Sequence, residues 1–228
     1  MKKLVLILFT GLLAFGAFSQ NIQLHYDMGK DRGYLTSTVE MFKPDKTGNT
    51  FFFIDMNYGV GEVQGVSLAY FEIARCFKLG QSPFSWHAEY NGGMGQWKAG
   101  AASGAYTINN AWLTGVDYSW NSSDFSRGFS LKALYKNIAN TIDNKPNSFQ
   151  FTAVWHLNFA EGKMSFTGFA DLWREKTGFG TMIFLSEPQI WYNFNKNFSA
   201  GSEVELSNNF AGHNGFMVNP TAAVKYTF

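Results

Sequence analysis

Two pairs of residues in this chain have the make-up of a catalytic base and its orienting carboxylate: His25 with Asp27, and His87 with Glu89. Residues two apart on a strand share a face, and a base held by a carboxylate is the arrangement that activates a hydroxyl or a water. The spacing works against a direct bond, because i and i+2 lie ~7 Å apart along a strand. The other histidines, His156 and His213, are scattered, and Cys76 is alone, which excludes an internal disulfide. There is no Gly-x-Ser-x-Gly, no His-Glu set at metal-ligand spacing and no glycine-rich phosphate loop. A hydrolase is therefore the weakest reading of these residues, and no catalytic residue, metal or cofactor is expected.

A second pattern sets aromatic rings beside carboxylates. Trp173 follows Asp171 by two positions, and Trp191 stands beside Glu187 and Gln189. A ring that stacks a flat heterocycle, next to a carboxylate that accepts hydrogen bonds from sugar hydroxyls, suits a base joined to a sugar. Asp27, Asp55, Tyr70, Glu89, Glu203 and Glu205 belong to the same candidate binding surface, with Glu40, Glu72 and Asp117 on the same register. These residues are spread over nearly the whole chain, so only a closed surface built from many strands can gather them.

The elements that would do this are legible as period-two alternation. Phe84, Trp86, Ala88 and Tyr90 alternate with Ser85, His87, Glu89 and Asn91. Phe149, Phe151, Ala153, Trp155, Leu157 and Phe159 do the same against Gln150, Thr152, His156 and Asn158. Twelve segments read this way: 22–30, 34–43, 50–58, 67–77, 83–91, 106–120, 128–138, 148–159, 163–174, 182–194, 198–208 and 216–228. With 24 Phe, 10 Tyr and 7 Trp, the aromatic load exceeds what one soluble core of this size buries, whereas lipid accepts rings on an outer face. No apolar run after the first 20 residues nears the ~18 residues of a spanning helix. Any crossing must be made by a closed barrel, since lipid offers an open sheet edge no partner.

The expectation is an all-β, transmembrane antiparallel barrel of twelve strands, with 1–19 as a cleaved signal peptide and 20–228 as one domain. Lys2 and Lys3, the apolar stretch from Leu4 to Phe18, and the small residues Ala17 and Ser19 form the leader pattern. An even strand count returns both ends to the periplasmic side and puts the glycine-rich stretches 59–66, 92–105 and 209–215 outside as longer loops. Pro188 and Pro220 fall inside strands and are expected at bulges. Arg75 and Asn110 face outward, Arg75 at a membrane boundary and Asn110 beyond the hydrocarbon. A soluble secreted β-sandwich is the alternative fold, but it needs neither rings along every outer face nor an aromatic last residue.

Several segments resemble a known family: His25-Tyr26-Asp27, Glu40 to Lys46, Phe51 to Met56, Glu72 to Arg75, Glu89 to Gly93, Glu187 to Trp191 and Gly201 to Glu205. They are similar to Bacteroidetes outer-membrane proteins of uncharacterised function, related to the Tsx-type nucleoside-specific channels. That resemblance implies a twelve-stranded barrel with a narrow lumen and passive, selective uptake of nucleosides. The partners expected are outer-membrane lipids, a nucleoside-like solute and the barrel-assembly machinery, the last through the final strand ending on Phe228. A net charge of +1 gives no reason to expect nucleic acid. The alternatives are a structural or ligand-binding barrel without an open pore, and an outer-membrane hydrolase.

Overall fold

A computed structural model of the chain describes residues 19–228, so the expected leader lies, except for Ser19, outside the described residues. The strands are β1 (Ser19–Asp27), β2 (Leu35–Asp45), β3 (Gly48–Tyr58), β4 (Val66–Lys78), β5 (Phe84–Ala99), β6 (Ala102–Asn121) and β7 (Arg127–Ile138). They continue as β8 (Asn147–Phe159), β9 (Met164–Arg174), β10 (Met182–Ser186), β11 (Gln189–Asn193), β12 (Phe198–Asn208) and β13 (Phe216–Thr227). Each runs antiparallel to its neighbours, and β13 returns to pair with β1 from Asn21↔Thr227 to Asp27↔Thr221. The sheet therefore has no edge. Because β10 and β11 both lie between β9 and β12, they are two halves of one strand, and the barrel has twelve.

Alternation decides what faces lipid. Phe84, Trp86, Phe151 and Tyr226 all sit exposed on the outer face, where rings also pair between strands. Phe77 stacks on Trp86 at 5.3 Å, Tyr90 meets Trp112 at 4.7 Å, and Trp155 lies 6.0 Å from Phe166. Cross-strand aromatic pairs of this kind stabilise a sheet face beyond their area alone. With its closed ladder and its belt of rings, the chain is an outer-membrane barrel. Cysteines placed singly at Trp86, Phe151 and Tyr226 should be labelled by a lipid-soluble reagent and spared by a water-soluble one. A water-soluble reagent that modifies Phe151→Cys as readily as Glu89→Cys would show the faces to be reversed.

Some local expectations need correction. The stretch 92–105 is not a loop: β5 and β6 run on to Ala99 and Ala102 and turn at Gly100. Two of the glycines that suggested a loop, Gly95 and Gly104, are covered by rings from across the ladder. A Cβ on Gly95 would meet the Tyr106 ring at 2.3 Å, and one on Gly104 would meet Trp97 at 2.9 Å. Aromatic cover of this sort lets glycine persist in a strand. The register slips between Asn91 and Gly93, and Asn110 packs at this bulge, against Gly92.

The two prolines differ. Glu187 and Pro188 interrupt the tenth strand between β10 and β11, and Gly168 of β9 comes close enough that a Cβ there would lie 2.7 Å from the Glu187 carbonyl oxygen. Pro220, by contrast, needs no bulge. Its register against β12 keeps one offset from Gly201↔Ala223 to Val204↔Pro220, although between them the Glu203 amide bonds the Thr221 hydroxyl instead of the ladder. The Pro220 carbonyl accepts from the Met28 amide at 2.9 Å, just past the end of β1. Its missing N–H falls where the neighbouring strand has stopped. Arg75 does sit near a barrel end, where its guanidinium donates to Asp45 at 2.6 and 3.0 Å in the β2–β3 turn region.

Candidate functional site

The inward faces of the strands form one lumen, and its two sides are built differently. Along β6, β7, β9 and β10 an apolar cluster fills part of the interior: Ala111, Leu113, Leu134, Ile138, Trp173 and Ile183 pack together, with Leu185 and Phe210 against them and the buried Lys136 reaching over Trp173. Phe210 comes from the β12–β13 loop and meets Trp173 edge-on at 6.0 Å, so this loop narrows the mouth. Along β2, β3 and β4, and along β10 to β12, the inward residues are half-buried and polar. Glu40, Asp55, Tyr70 and Glu72 on one wall look across at Glu187, Gln189, Glu203 and Glu205 on the other.

Each residue singled out from the sequence faces this interior, but they form separate groups. At the mouth, Arg32 of the β1–β2 loop bridges two of them: its guanidinium donates to Asp27 at 2.8 Å and to both Glu205 oxygens at 3.0 and 2.9 Å. Asn219 adds a bond to Glu205 at 3.0 Å. Arg32 was not legible as a site residue, because it lies in a turn and only loop folding brings it inward. Deeper, Gln189 donates to Glu203 at 2.6 Å and accepts from the Trp191 indole at 2.9 Å. On the opposite wall, the Tyr70 hydroxyl donates to Glu72 at 2.6 Å, Thr38 donates to Asp55 at 2.5 Å, and Phe53 lies 6.0 Å from Tyr70. Asp171 accepts from Thr152 at 2.5 Å.

The two tryptophans expected as stacking platforms are already covered. Trp191 is 0% exposed, with the Lys225 ammonium 4.0 Å over its face and His25 edge-on at 6.0 Å. Trp173 carries the Lys136 ammonium 4.4 Å over its face, and its indole N–H donates to Glu175 at 3.1 Å. A cation on a ring face excludes a stacked base. Rings with half-open surfaces are instead Phe53 and Tyr70. Missing from the sequence reading was any signal that the inward lysines would cap these indoles, since the partners come from strands far apart in the chain.

Glu187 differs from the other carboxylates. Among the described residues its carboxylate has no hydrogen-bond or ion-pair partner, while the charges of Glu203, Asp55, Glu205 and Glu72 all act on it. It sits where the tenth strand is broken: its backbone N–H bonds the Phe169 carbonyl at 3.1 Å, and its side chain stands in the lumen.

The histidine pairs also separate. His87 Nε2 lies 2.8 Å from Glu89, a direct contact that strand spacing alone argued against. His25 turns from Asp27 and bonds Gln23 and Thr221 at 3.0 Å each.

The family described as "Domain of unknown function (DUF5020)" matches residues 19–228. A search of curated proteins finds no match. Among solved structures the chain is similar to the NanC porin, at 9% identity and a TM-score of 0.59 over 92% of this chain and 100% of that one. It is similar also to the KdgM porin, at 12% identity and a TM-score of 0.52 over 92% of this chain and 99% of that one. A second structure of the latter is described as in complex with disordered oligogalacturonate, with the same figures. At these identities the likeness shows a shared fold.

Proposed function

We propose that this chain, which belongs to the DUF5020 family, is a narrow channel that lets small neutral or cationic solutes cross the outer membrane passively. The observation that carries this reading is the unpartnered Glu187 facing Glu203, Asp55, Glu72 and Glu205 across the half-open side of the lumen. Carboxylate rings of this kind select for cations and against anions. Oligogalacturonate, the ligand of one structural relative, is a polyanion, and the acidic lumen argues against a solute of that charge here. Within the neutral solutes, nucleosides fit the β3–β4 wall, where the Phe53 and Tyr70 rings stand beside Asp55 and Glu72.

The test is uptake into proteoliposomes. Nucleosides should enter faster than a size-matched sugar, and a sugar acid should be excluded. Tyr70→Ala should weaken nucleoside binding by about 1–3 kcal/mol, the worth of one base stacked on a ring. Equal rates for nucleoside and sugar would remove the nucleoside part of the reading. No flux of any solute would favour a closed barrel, a reading that draws on the apolar cluster filling one side of the lumen.

Assembly is proposed to read the last strand. The Phe228 amide donates to the Gln20 carbonyl at 3.0 Å and its ring lies 5.3 Å from Tyr226. Deleting Phe228 should lower the amount of heat-modifiable folded barrel in the outer membrane, and unchanged abundance would remove the terminal residue from recognition.

A further inference from the structure

We propose that Cys76, His87 and Asp117 bind one thiophilic divalent cation of the zinc class in the wall of the barrel. The three side chains come from the adjacent strands β4, β5 and β6, face inward, and are 3%, 0% and 3% exposed. One ligand atom from each lies within 4.8 Å of the others. Cys76 Sγ is 3.2 Å from His87 Nδ1 and 3.3 Å from Asp117 Oδ2. A tetrahedral zinc ion with sulfur at about 2.3 Å and nitrogen or oxygen at about 2.0 Å separates its ligand atoms by roughly 3.5 Å, so binding needs only a slight spreading of the three.

Two further features point to a cation. The first is proton bookkeeping. His87 Nε2 lies 2.8 Å from Glu89, a carboxylate that accepts the ring N–H and thereby leaves the Nδ1 lone pair aimed at Cys76. The thiol then has one proton for two acceptors, Nδ1 and Asp117 Oδ2, and one of them is left facing an electron-rich centre without a donor. The second is orientation. Glu89 fixes the imidazole, and Ser119 and Ser130 donate to Asp117 Oδ1 at 3.0 and 2.5 Å, which leaves Oδ2 to point at the sulfur. A carboxylate behind a ligating histidine and hydroxyls behind a ligating carboxylate are the outer-shell supports of protein metal sites. Lys132, across the ladder from Asp117, forms no ion pair with it among the described residues, but its charge acts on Cys76 and Glu89, so a bound metal ion would push this ammonium aside.

The mix of one thiolate, one imidazole and one carboxylate favours zinc over calcium or magnesium, which prefer oxygen alone. Three protein ligands leave a fourth position for water or for a solute in the lumen. Cys76 pairs with Asn49 beside the β2–β3 turn, so the site lies toward the barrel end that carries both chain ends of the described residues. Binding replaces the thiol proton, which is released to solvent.

The experiment uses the folded full-length barrel in detergent, stripped with a chelator and titrated with Co²⁺ and then Zn²⁺. One equivalent of Co²⁺ should produce a thiolate-to-metal charge-transfer band in the near ultraviolet, and Zn²⁺ should displace it with release of a proton into weak buffer. Cys76→Ser should lose the band, while Glu89→Gln should keep it and lower the affinity about ten- to a hundredfold, as outer-shell losses do. Each variant is checked for the heat-shifted band of a folded barrel. If variants misfold, the wild-type titration decides alone: a folded barrel that takes up neither ion, or takes up Co²⁺ without a charge-transfer band, overturns the proposal. A band that survives in folded Cys76→Ser overturns it equally.

Discussion

Replacing Trp191 by alanine should lower the stability of the folded barrel by about 3–5 kcal/mol, the usual cost of emptying a buried aromatic position. The side chain is wholly buried, its indole N–H bonds Gln189 at 2.9 Å, and Lys225 and His25 pack on its face and edge. Removing it deletes the ring that Lys225 covers and frees the Gln189 carbonyl that positions Glu203 through the same amide group. The measurement is urea-dependent unfolding from lipid vesicles, read by tryptophan fluorescence and by loss of the heat-shifted band. Because the emptied space adjoins the polar side of the lumen, water should fill it, and the conductance should rise. A loss below about 1 kcal/mol would mean that the neighbouring side chains close over the gap, contrary to the packing described. Trp191→Phe should retain most of the stability and lose only the bond to Gln189.

The second large effect is expected at Glu187. Glu187→Lys places an ammonium where four carboxylates act on one position, and it should collapse cation preference in the channel. A unit charge at about 8 Å contributes roughly 2 kcal/mol at an effective dielectric near 20, and each ~1.4 kcal/mol is a factor of about ten. The cation-to-anion permeability ratio, from the reversal potential across a salt gradient, should therefore fall more than about tenfold. Glu187→Gln should shift it far less, because carboxylates crowded on one position share protons rather than each carrying a full charge. The contrasting site is Glu205, which shares the Arg32 guanidinium with Asp27 at 2.9 and 2.8 Å, and Glu205→Gln should change selectivity less than Glu187→Lys. An unchanged ratio in Glu187→Lys would show that ions do not pass this carboxylate.

The architecture was legible because a barrel wall has one dominant rule. Side chains alternate with period two, and one face must be apolar, so a slip of one residue puts charge into lipid. Residues 148–159 illustrate it: the alternation of Phe149 and Phe151 with Gln150 and Thr152 specifies both a strand and its faces, and β8 pairs as that pattern requires. The rule fails where glycine removes the pattern. Residues 92–105 carry glycines on both strands of a hairpin, and what makes them strands is cover by Tyr106 and Trp97, a contact across the ladder that leaves no periodic trace.

Alternation also placed the inward carboxylates, since direction along a strand is local. It could not say which would meet. Asp27 and Glu205 are joined through Arg32, Trp173 and Trp191 are covered by Lys136 and Lys225, and Cys76, His87 and Asp117 converge at one point. Each of these groupings depends on the register between strands, the break at Pro188 or the folding of a loop into the mouth. By itself, then, the sequence determined the number of strands and the inward or outward direction of nearly every side chain, because burial against lipid acts residue by residue. Only the tertiary structure decided which inward groups neutralise one another and which stay open to a solute, because hydrogen bonds and ion pairs are settled within about 4 Å, and ring closure brings together residues from opposite ends of the chain.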